Sequence, residues 1–164
     1  MKRITWWPQL FLGFAFSWGA LLGWAVMLES LSIAPVLLYA GSIFWVIGYD
    51  TIYAHQDKED DALVGVKSTA RLFGENSKGA ISLLYICALM LFAAAYSSVM
   101  PILSIQTIPA YAGLGIGTIH LFWQIKNLDI DNPDQCLKLF HSNYHFGLIL
   151  FVGLLGTVIF SVLL

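Results

Sequence analysis

Long hydrophobic runs alternate with short polar connections along this chain. Five of the runs approach the roughly 20 residues that a helix needs to cross the hydrocarbon core of a bilayer. The predicted spans cover about residues 8–28, 34–54, 79–99, 102–125 and 144–164. The sequence contains neither an internal repeat nor a low-complexity linker. We therefore predict an all-α integral membrane protein, with five transmembrane helices in one domain over residues 1–164.

Composition supports this class of protein. Of the 164 residues, 59% are hydrophobic and only 11% are charged, whereas soluble domains carry about 25% charged residues. No basic stripe suggests a nucleic-acid partner. Cys87 and Cys136 lack the spacing of a metal site or a disulfide framework, so we interpret both as packing residues. The partner that composition indicates is the lipid bilayer.

The basic residues predict how the chain is oriented. All eight Lys and Arg residues fall on one side of a five-span topology, namely Lys2, Arg3, Lys58, Lys67, Arg71, Lys78, Lys126 and Lys138. The positive-inside rule assigns that side to the cytoplasm. The apolar run after Arg3 is too long for a secretory signal peptide and has no small-residue cleavage site, so we expect a retained span. We expect a multi-pass protein of the bacterial inner membrane.

An acidic cluster follows the second predicted span. Five carboxylates fall within twelve residues, namely Asp50, Asp57, Glu59, Asp60 and Asp61. Charge at the mouth of a membrane span is costly and indicates function. Asp57 and Asp61 are four residues apart and would share one face of a helical turn, with Asp60 beside Asp57. Mg²⁺ takes oxygen ligands and is commonly shared between carboxylates and phosphates. A solvated acidic loop is the alternative interpretation.

Two cations follow the acidic cluster. Lys67 and Arg71 are four residues apart and would share one helical face, and Gly65 and Gly74 bracket the segment that carries them. A metal ion would bridge the carboxylates to phosphate oxygens, and the cations would neutralise the remaining charge. Simple anchoring on the positive side of the membrane is the alternative for these two residues. Taken with the carboxylates, they favour a diphosphate site.

The same residues resemble a known motif. The segment YDTIYAHQDKEDD at 49–61, followed by GVKSTARLFG at 65–74, resembles the second aspartate motif of the UbiA-type membrane prenyltransferases. Within that superfamily the chain is most similar to the 4-hydroxybenzoate polyprenyltransferases of ubiquinone synthesis. Residues 2–13 and 142–147 resemble the same subfamily.

The resemblance implies a nine-helix bundle in which the five predicted spans match the last five helices. In the family, two motifs, NDxxDxxxD and DxxxD, face each other across a cavity and hold Mg²⁺. Asp57, Asp60 and Asp61 supply the metal ligands of the second motif, and no Asn-Asp-x-x-Asp occurs in this sequence. The resemblance thus implies a fragment, a truncation or a split gene, with a separately encoded N-terminal half as a partner.

The resemblance also implies a reaction. The family transfers a polyprenyl group from polyprenyl diphosphate to the ring of 4-hydroxybenzoate, beside its hydroxyl group. On this basis Asp57, Asp61 and Asp50 are expected to be catalytic, and Lys67, Arg71 and Tyr53 to bind the diphosphate. Two alternatives stay open: another UbiA-type prenyltransferase, of the menaquinone or haem O type, and a non-catalytic remnant or half-protein.

Four further polar residues have simpler interpretations. We expect His55 to face solvent and His120 to make a polar bond between helices. Asn143 and Tyr144 open the last predicted span, where an N-cap and an interfacial aromatic explain them nearly as well as contact with the cavity does.

Overall fold

The computed structural model describes residues 2–102 and 104–163, and every regular element in these ranges is helical. Eight α-helices follow one another: α1 Pro8–Phe16, α2 Gly19–Leu28, α3 Ile33–Ala54, α4 Lys58–Leu63, α5 Thr69–Phe73, α6 Ser77–Val99, α7 Ile108–Asn127 and α8 Pro133–Leu163. Short 3₁₀ turns precede α6 and α7. The prediction of an all-α protein is confirmed.

Four helical stretches of the described chain are long and apolar enough to cross a membrane. They are Pro8–Leu28, Ile33–Ala54, Thr69–Val99 and Pro133–Leu163. The region of the fourth predicted span, 102–125, contains α7, which begins later and is absent from that set of described helices. Its polar residues His120 and Gln124 reduce its hydropathy. Several apolar helices are therefore present, and the count of five crossings stays a prediction.

The last helix is longer than predicted. It begins at Pro133 rather than near residue 144 and contains 31 residues. At about 1.5 Å per residue it is roughly 46 Å long, which exceeds the roughly 30 Å hydrocarbon core. Asn143 therefore lies inside α8, and the interpretation of Asn143 as an N-cap is wrong.

Helix α3 is the centre of the bundle. It contacts α1, α2, α6 and α8, while α7 packs against α6 and α8. Two glycines on α3 allow α6 to approach closely. A Cβ at Gly41 would lie 2.8 Å from the Phe92 ring, and one at Gly48 would meet the Tyr85 ring. Small residues at helix contacts are what close packing in lipid requires.

The segment before α1 packs onto the polar loop between α3 and α6. The Lys67 amide donates to the Lys2 carbonyl at 2.7 Å, and the Trp7 and Phe73 rings meet edge to face at 5.6 Å. At the start of α5, the Thr69 amide donates to the buried Gln9 side chain at 3.2 Å. These contacts fix the loop that carries the predicted site.

Candidate functional site

The end of α3 and the start of α5 are joined by buried hydroxyl groups. Thr51 and Thr69 are both fully buried, and their Oγ1 atoms lie 2.6 Å apart. The Thr51 hydroxyl also lies 2.6 Å from the Ile47 carbonyl, to which it donates. At the N-terminus of α5 the Ser68 hydroxyl accepts from the Arg71 amide at 3.4 Å. The short helix is thus held against α3, and it carries Arg71.

Asp61 is the most buried carboxylate of the acidic cluster. It is 9% exposed, and its Oδ2 atom lies 3.8 Å from the Lys2 ammonium. That oxygen has no hydrogen-bond partner among the described residues. Asp57 directly precedes α4, and its carbonyl accepts from the Asp61 amide at 2.8 Å. The two residues are therefore one helical turn apart, as predicted. Asp50, in the last turns of α3, is half-buried.

One of the two predicted cations, Arg71, lies beside Asp61. The Arg71 guanidinium donates to the Asp61 carbonyl at 3.2 Å and also to the Val66 carbonyl. Lys67 precedes α5 instead of sharing a helical face with Arg71. The Trp6 ring brings the two cations together, with Lys67 Nζ at 5.7 Å and Arg71 Cζ at 5.5 Å from its centre. The segment before α1 thus helps to build the candidate diphosphate site, which sequence reasoning did not predict.

Asp60 has different surroundings from Asp57 and Asp61. It is exposed and lines a cavity of about 260 Å³ with His55, Glu59 and Asp131. Within residues 2–102 and 104–163, no three His, Cys, Asp or Glu side chains form a group that could hold a metal ion. The described structure therefore does not assemble Asp57, Asp60 and Asp61 into one three-carboxylate cluster. The metal assignment of these residues stays a prediction.

His55 is buried rather than facing solvent, which corrects the expectation from sequence. It follows the last residue of α3 and is 3% exposed. Neither of its ring nitrogens has a hydrogen-bond partner in the described part of the chain. Burial, reinforced by the nearby Lys58 charge, lowers the pKa of His55 to about 4, and Asp131 opposes this shift. The imidazole is therefore neutral at physiological pH.

An aromatic row runs along α3 away from the acidic cluster. Trp45, Tyr49 and Tyr53 are spaced by four residues, so they share one helical face. Trp45 and Tyr49 have ring centres 5.3 Å apart. The Phe140 ring of α8 packs against Tyr49 at 5.6 Å and against Tyr53 at 4.7 Å. A cavity of about 350 Å³ opens beside the row. The spacing was visible in the sequence, but the contribution of α8 was not.

A buried polar network joins α6, α7 and α8. Gln124 is fully buried and accepts from the Tyr85 hydroxyl at 2.8 Å. Its amide nitrogen donates to the Ser142 hydroxyl at 2.9 Å and lies 3.2 Å from His120 Nε2. His120 is on the same helix as Gln124, so this contact of His120 lies within α7. The amide of Gln124 makes the connections between helices.

Known proteins resemble this chain over nearly its whole length. The model of the UbiA prenyltransferase family matches residues 1–155. "4-hydroxybenzoate polyprenyltransferase, mitochondrial" of Drosophila melanogaster is 51% identical over 98% of this chain and 40% of its own length. The proteins of the same name from Bos taurus and Caenorhabditis elegans are 48% and 44% identical over 94% and 96% of the chain, and over 40% and 43% of their own lengths. No solved structure matches the chain.

Two further facts follow from these matches. The chain spans about two fifths of the length of the curated relatives it matches. Their names also contain the word mitochondrial, so they give no support to the expectation of a bacterial inner membrane.

Proposed function

The chain belongs to the UbiA prenyltransferase family, and we propose that it forms part of an enzyme that transfers a polyprenyl group to the ring of 4-hydroxybenzoate in ubiquinone biosynthesis. The observation that carries this proposal is the identity of 44% to 51%, over nearly the whole chain, with relatives named 4-hydroxybenzoate polyprenyltransferase. Polyprenyl diphosphate is the proposed donor, and the bilayer holds its apolar tail. The same names favour 4-hydroxybenzoate over a menaquinone-type or haem O-type acceptor.

The two cations Lys67 and Arg71 are suited to assist the departure of pyrophosphate. In the proposed step, the bond between C1 of the prenyl group and its diphosphate oxygen breaks, and negative charge develops on the leaving group. Lys67 and Arg71 provide positive charge where it is needed. The bonds from Arg71 to the carbonyls of Asp61 and Val66 fix its guanidinium, and its remaining N–H groups are suited to phosphate oxygens. Tyr53, one turn before Asp57, adds a hydroxyl at the same end of α3.

The second half of the step forms a carbon–carbon bond. C1 of the prenyl group bonds to the ring carbon beside the hydroxyl of 4-hydroxybenzoate, and that ring carbon then loses its proton. Developing positive charge on the prenyl group is stabilised by aromatic faces in a site without water. Tyr49 and Tyr53 present such faces next to the acidic cluster.

Asp57 and Asp61 have the chemistry of magnesium ligands. Mg²⁺ prefers six oxygen ligands, is usually bound through one or two carboxylates and keeps several waters and substrate phosphates as the rest. The buried Oδ2 atom of Asp61, which has no hydrogen-bond partner among the described residues, fits a partial ligand set. When bound, Mg²⁺ supplies positive charge to the diphosphate. Asp50 lies two turns before Asp57 and is proposed to orient Tyr53. Asp60 is placed at the edge of this set, toward the His55 cavity.

The polar loop lies at the positively charged end of the proposed topology. Lys2 and Arg71 lie beside Asp61 there, and these cations support the proposal that the acidic cluster lies on the side that the positive-inside rule calls cytoplasmic. Further carboxylates for the metal are proposed to come from the part of the enzyme that corresponds to the unmatched length of the relatives. A separately encoded N-terminal half is one source of that part.

The test uses a host membrane that lacks its own 4-hydroxybenzoate polyprenyltransferase. The chain is expressed alone and together with the part of the Drosophila melanogaster relative that lies outside the match. Membranes receive Mg²⁺, polyprenyl diphosphate and isotope-labelled 4-hydroxybenzoate. We expect labelled 3-polyprenyl-4-hydroxybenzoate from the combined sample. Absence of product in both samples would favour the non-catalytic alternative, and prenylation of a naphthoate or of haem instead would assign the activity to another UbiA type.

A further inference from the structure

We propose that Asn143 is a positioning residue, which holds the Trp45 ring as a wall of the groove in which the isoprenoid chain of the donor lies. This inference rests on the proposed function and adds a residue to it. Asn143 is 6% exposed and lies on α8, whereas Trp45 lies on α3. The Trp45 indole N–H donates to Asn143 Oδ1 at 2.9 Å.

The orientation of the Asn143 amide is fixed by two further bonds. Its Nδ2 atom donates to the Leu139 carbonyl at 3.2 Å and to the Phe140 carbonyl at 3.1 Å. An amide nitrogen can only donate and an amide oxygen can only accept, so Oδ1 has to face the indole. Because the backbone of α8 sets the direction of the amide, the amide sets the direction of the Trp45 ring.

The Trp45 ring is confined on its other sides as well. Its centre lies 4.9 Å from that of Phe146, which is fully buried. A Cβ at Gly147 would lie 3.6 Å from the edge of the indole, so glycine there leaves the ring its space. An indole N–H without a partner in an apolar membrane interior is costly. Loss of the Asn143 oxygen would therefore allow or force the ring to turn.

The aromatic row of α3 runs from near the candidate diphosphate site into the membrane. Tyr53 is one turn before Asp57, and Trp45 is two turns before Tyr53, about 12 Å along the helix axis. Trp45, Tyr49, Phe140 and Asn143 line the cavity of about 350 Å³ beside this row. A donor whose diphosphate lies near Asp57 would place its first isoprene units along this row. The isoprenoid chain is therefore the occupant that the order of Trp45, Tyr49, Tyr53 and Asp57 along the chain favours.

A positioning role predicts an effect that depends on the length of the donor. A one-unit donor, dimethylallyl diphosphate, would end before Trp45, whereas a long polyprenyl diphosphate would pass it. In the combined membrane sample, we expect Asn143→Ala to lower the ratio of kcat/KM for the long donor to kcat/KM for the short donor by about tenfold. The KM for 4-hydroxybenzoate should stay within about twofold.

Two variants make this test independent of folding. Trp45→Phe keeps a ring but removes the N–H donor, so the double variant should show a ratio no lower than Asn143→Ala alone. Thr157→Val, on the far end of α8, removes the hydroxyl that accepts from the Ala110 amide at 3.1 Å and serves as the matched control, with an unchanged ratio.

The outcomes separate this inference from the proposed function. If the unsubstituted protein transfers no prenyl group, both fail together. If it transfers normally, and the donor ratio is unchanged in Asn143→Ala and in Trp45→Phe, the proposed function stands and the role of Asn143 is overturned. Additive effects of the two substitutions on the ratio would also overturn it, as would an equal loss for short and long donors.

Discussion

The Lys2 ammonium lies 3.8 Å from the Oδ2 atom of Asp61, and the pair links the segment before α1 to the polar loop. The Lys2 side chain is 52% exposed, whereas that of Asp61 is 12% exposed. A pair with one solvated partner contributes at most about 1 kcal/mol to stability. Its importance is therefore electrostatic, since it places a cation beside the carboxylate that is proposed to bind metal.

Replacing Lys2 should affect binding of the donor more than folding. We expect Lys2→Gln to raise the KM for polyprenyl diphosphate several-fold and to change the free energy of unfolding by less than about 1 kcal/mol. Steady-state kinetics and thermal unfolding in detergent measure the two quantities. Lys138→Gln, an exposed cation on α8, is the control. A large loss of stability with unchanged KM would instead make Lys2 a purely structural residue.

The carboxylates of the acidic cluster should differ in their importance. We expect Asp57→Asn and Asp61→Asn each to reduce Mg²⁺-dependent prenyl transfer at least about 100-fold, because each removes charged oxygen from the proposed ligand set. Asp60→Asn should cost less than about tenfold, since Asp60 faces the His55 cavity. The exposed Glu59→Gln in the same helical turn is the control. Near-normal transfer by Asp57→Asn and Asp61→Asn would refute the metal assignment.

The hydroxyl pair of Thr51 and Thr69 should control the position of Arg71. Thr69→Val removes the 2.6 Å contact, while the Thr51 hydroxyl keeps its bond to Ile47. We expect a loss of about 1 kcal/mol of stability and a higher KM for polyprenyl diphosphate, because α5 is then less firmly held. Thr118→Val removes only a bond to the carbonyl of Leu114 within its own helix, so it should leave that KM unchanged. The same KM in both variants would contradict the proposed link between this pair and Arg71.

Helix boundaries marked by a long apolar run could be predicted from the sequence. Boundaries and buried polar residues that depend on contacts with other helices could not. The apolar run of α3 predicted its end at Ala54, where the helix does end. The first turns of α8 carry Lys138 and other polar residues, so hydropathy alone missed them. Gln124 of α7 is fully buried because its side chain forms hydrogen bonds with neighbouring helices. The sequence of α7 alone does not reveal these partners.

In the candidate site, too, local features could be predicted from the sequence and contacts between distant residues could not. The spacing of Asp57 and Asp61 over one turn was predictable because it depends on local helical geometry. The surroundings of Asp60 were not predictable, because the cavity that it lines is formed partly by the connection between α7 and α8, where Asp131 lies. The contacts of Trp6 with Lys67 and Arg71 were not predictable either, because they join residues that are distant in sequence.

Burial of His55 should make the stability of the protein depend on pH. Its pKa falls to about 4 in the folded protein, against about 6.5 in an unfolded chain. The folded state therefore disfavours protonation. The stability that the folded protein gains from a neutral His55 is fully present above pH 6.5. It is lost as the pH falls from 6.5 toward 4, by up to about 3 kcal/mol.

The variant His55→Gln isolates this effect, because the other titrating residues remain. Thermal midpoints in detergent, measured for both proteins between pH 4.5 and 7.5, should converge as the pH falls, with the unsubstituted protein losing more. Parallel curves for the two proteins would mean that His55 does not titrate in this range.

Helices α7 and α8 approach each other closely at Gly153. A Cβ at Gly153 would lie 2.8 Å from the Pro109 carbonyl oxygen, a backbone atom that cannot turn aside. We therefore expect Gly153→Ala to separate the helices and to lower the free energy of unfolding by about 1–3 kcal/mol. Gly115→Ala is the matched control, because a Cβ there meets no described atom within 4 Å. Alanine favours a helix by up to about 1 kcal/mol over glycine, so this control should keep or raise the thermal midpoint. Equal midpoints for the two variants would contradict the tight packing of α7 against α8.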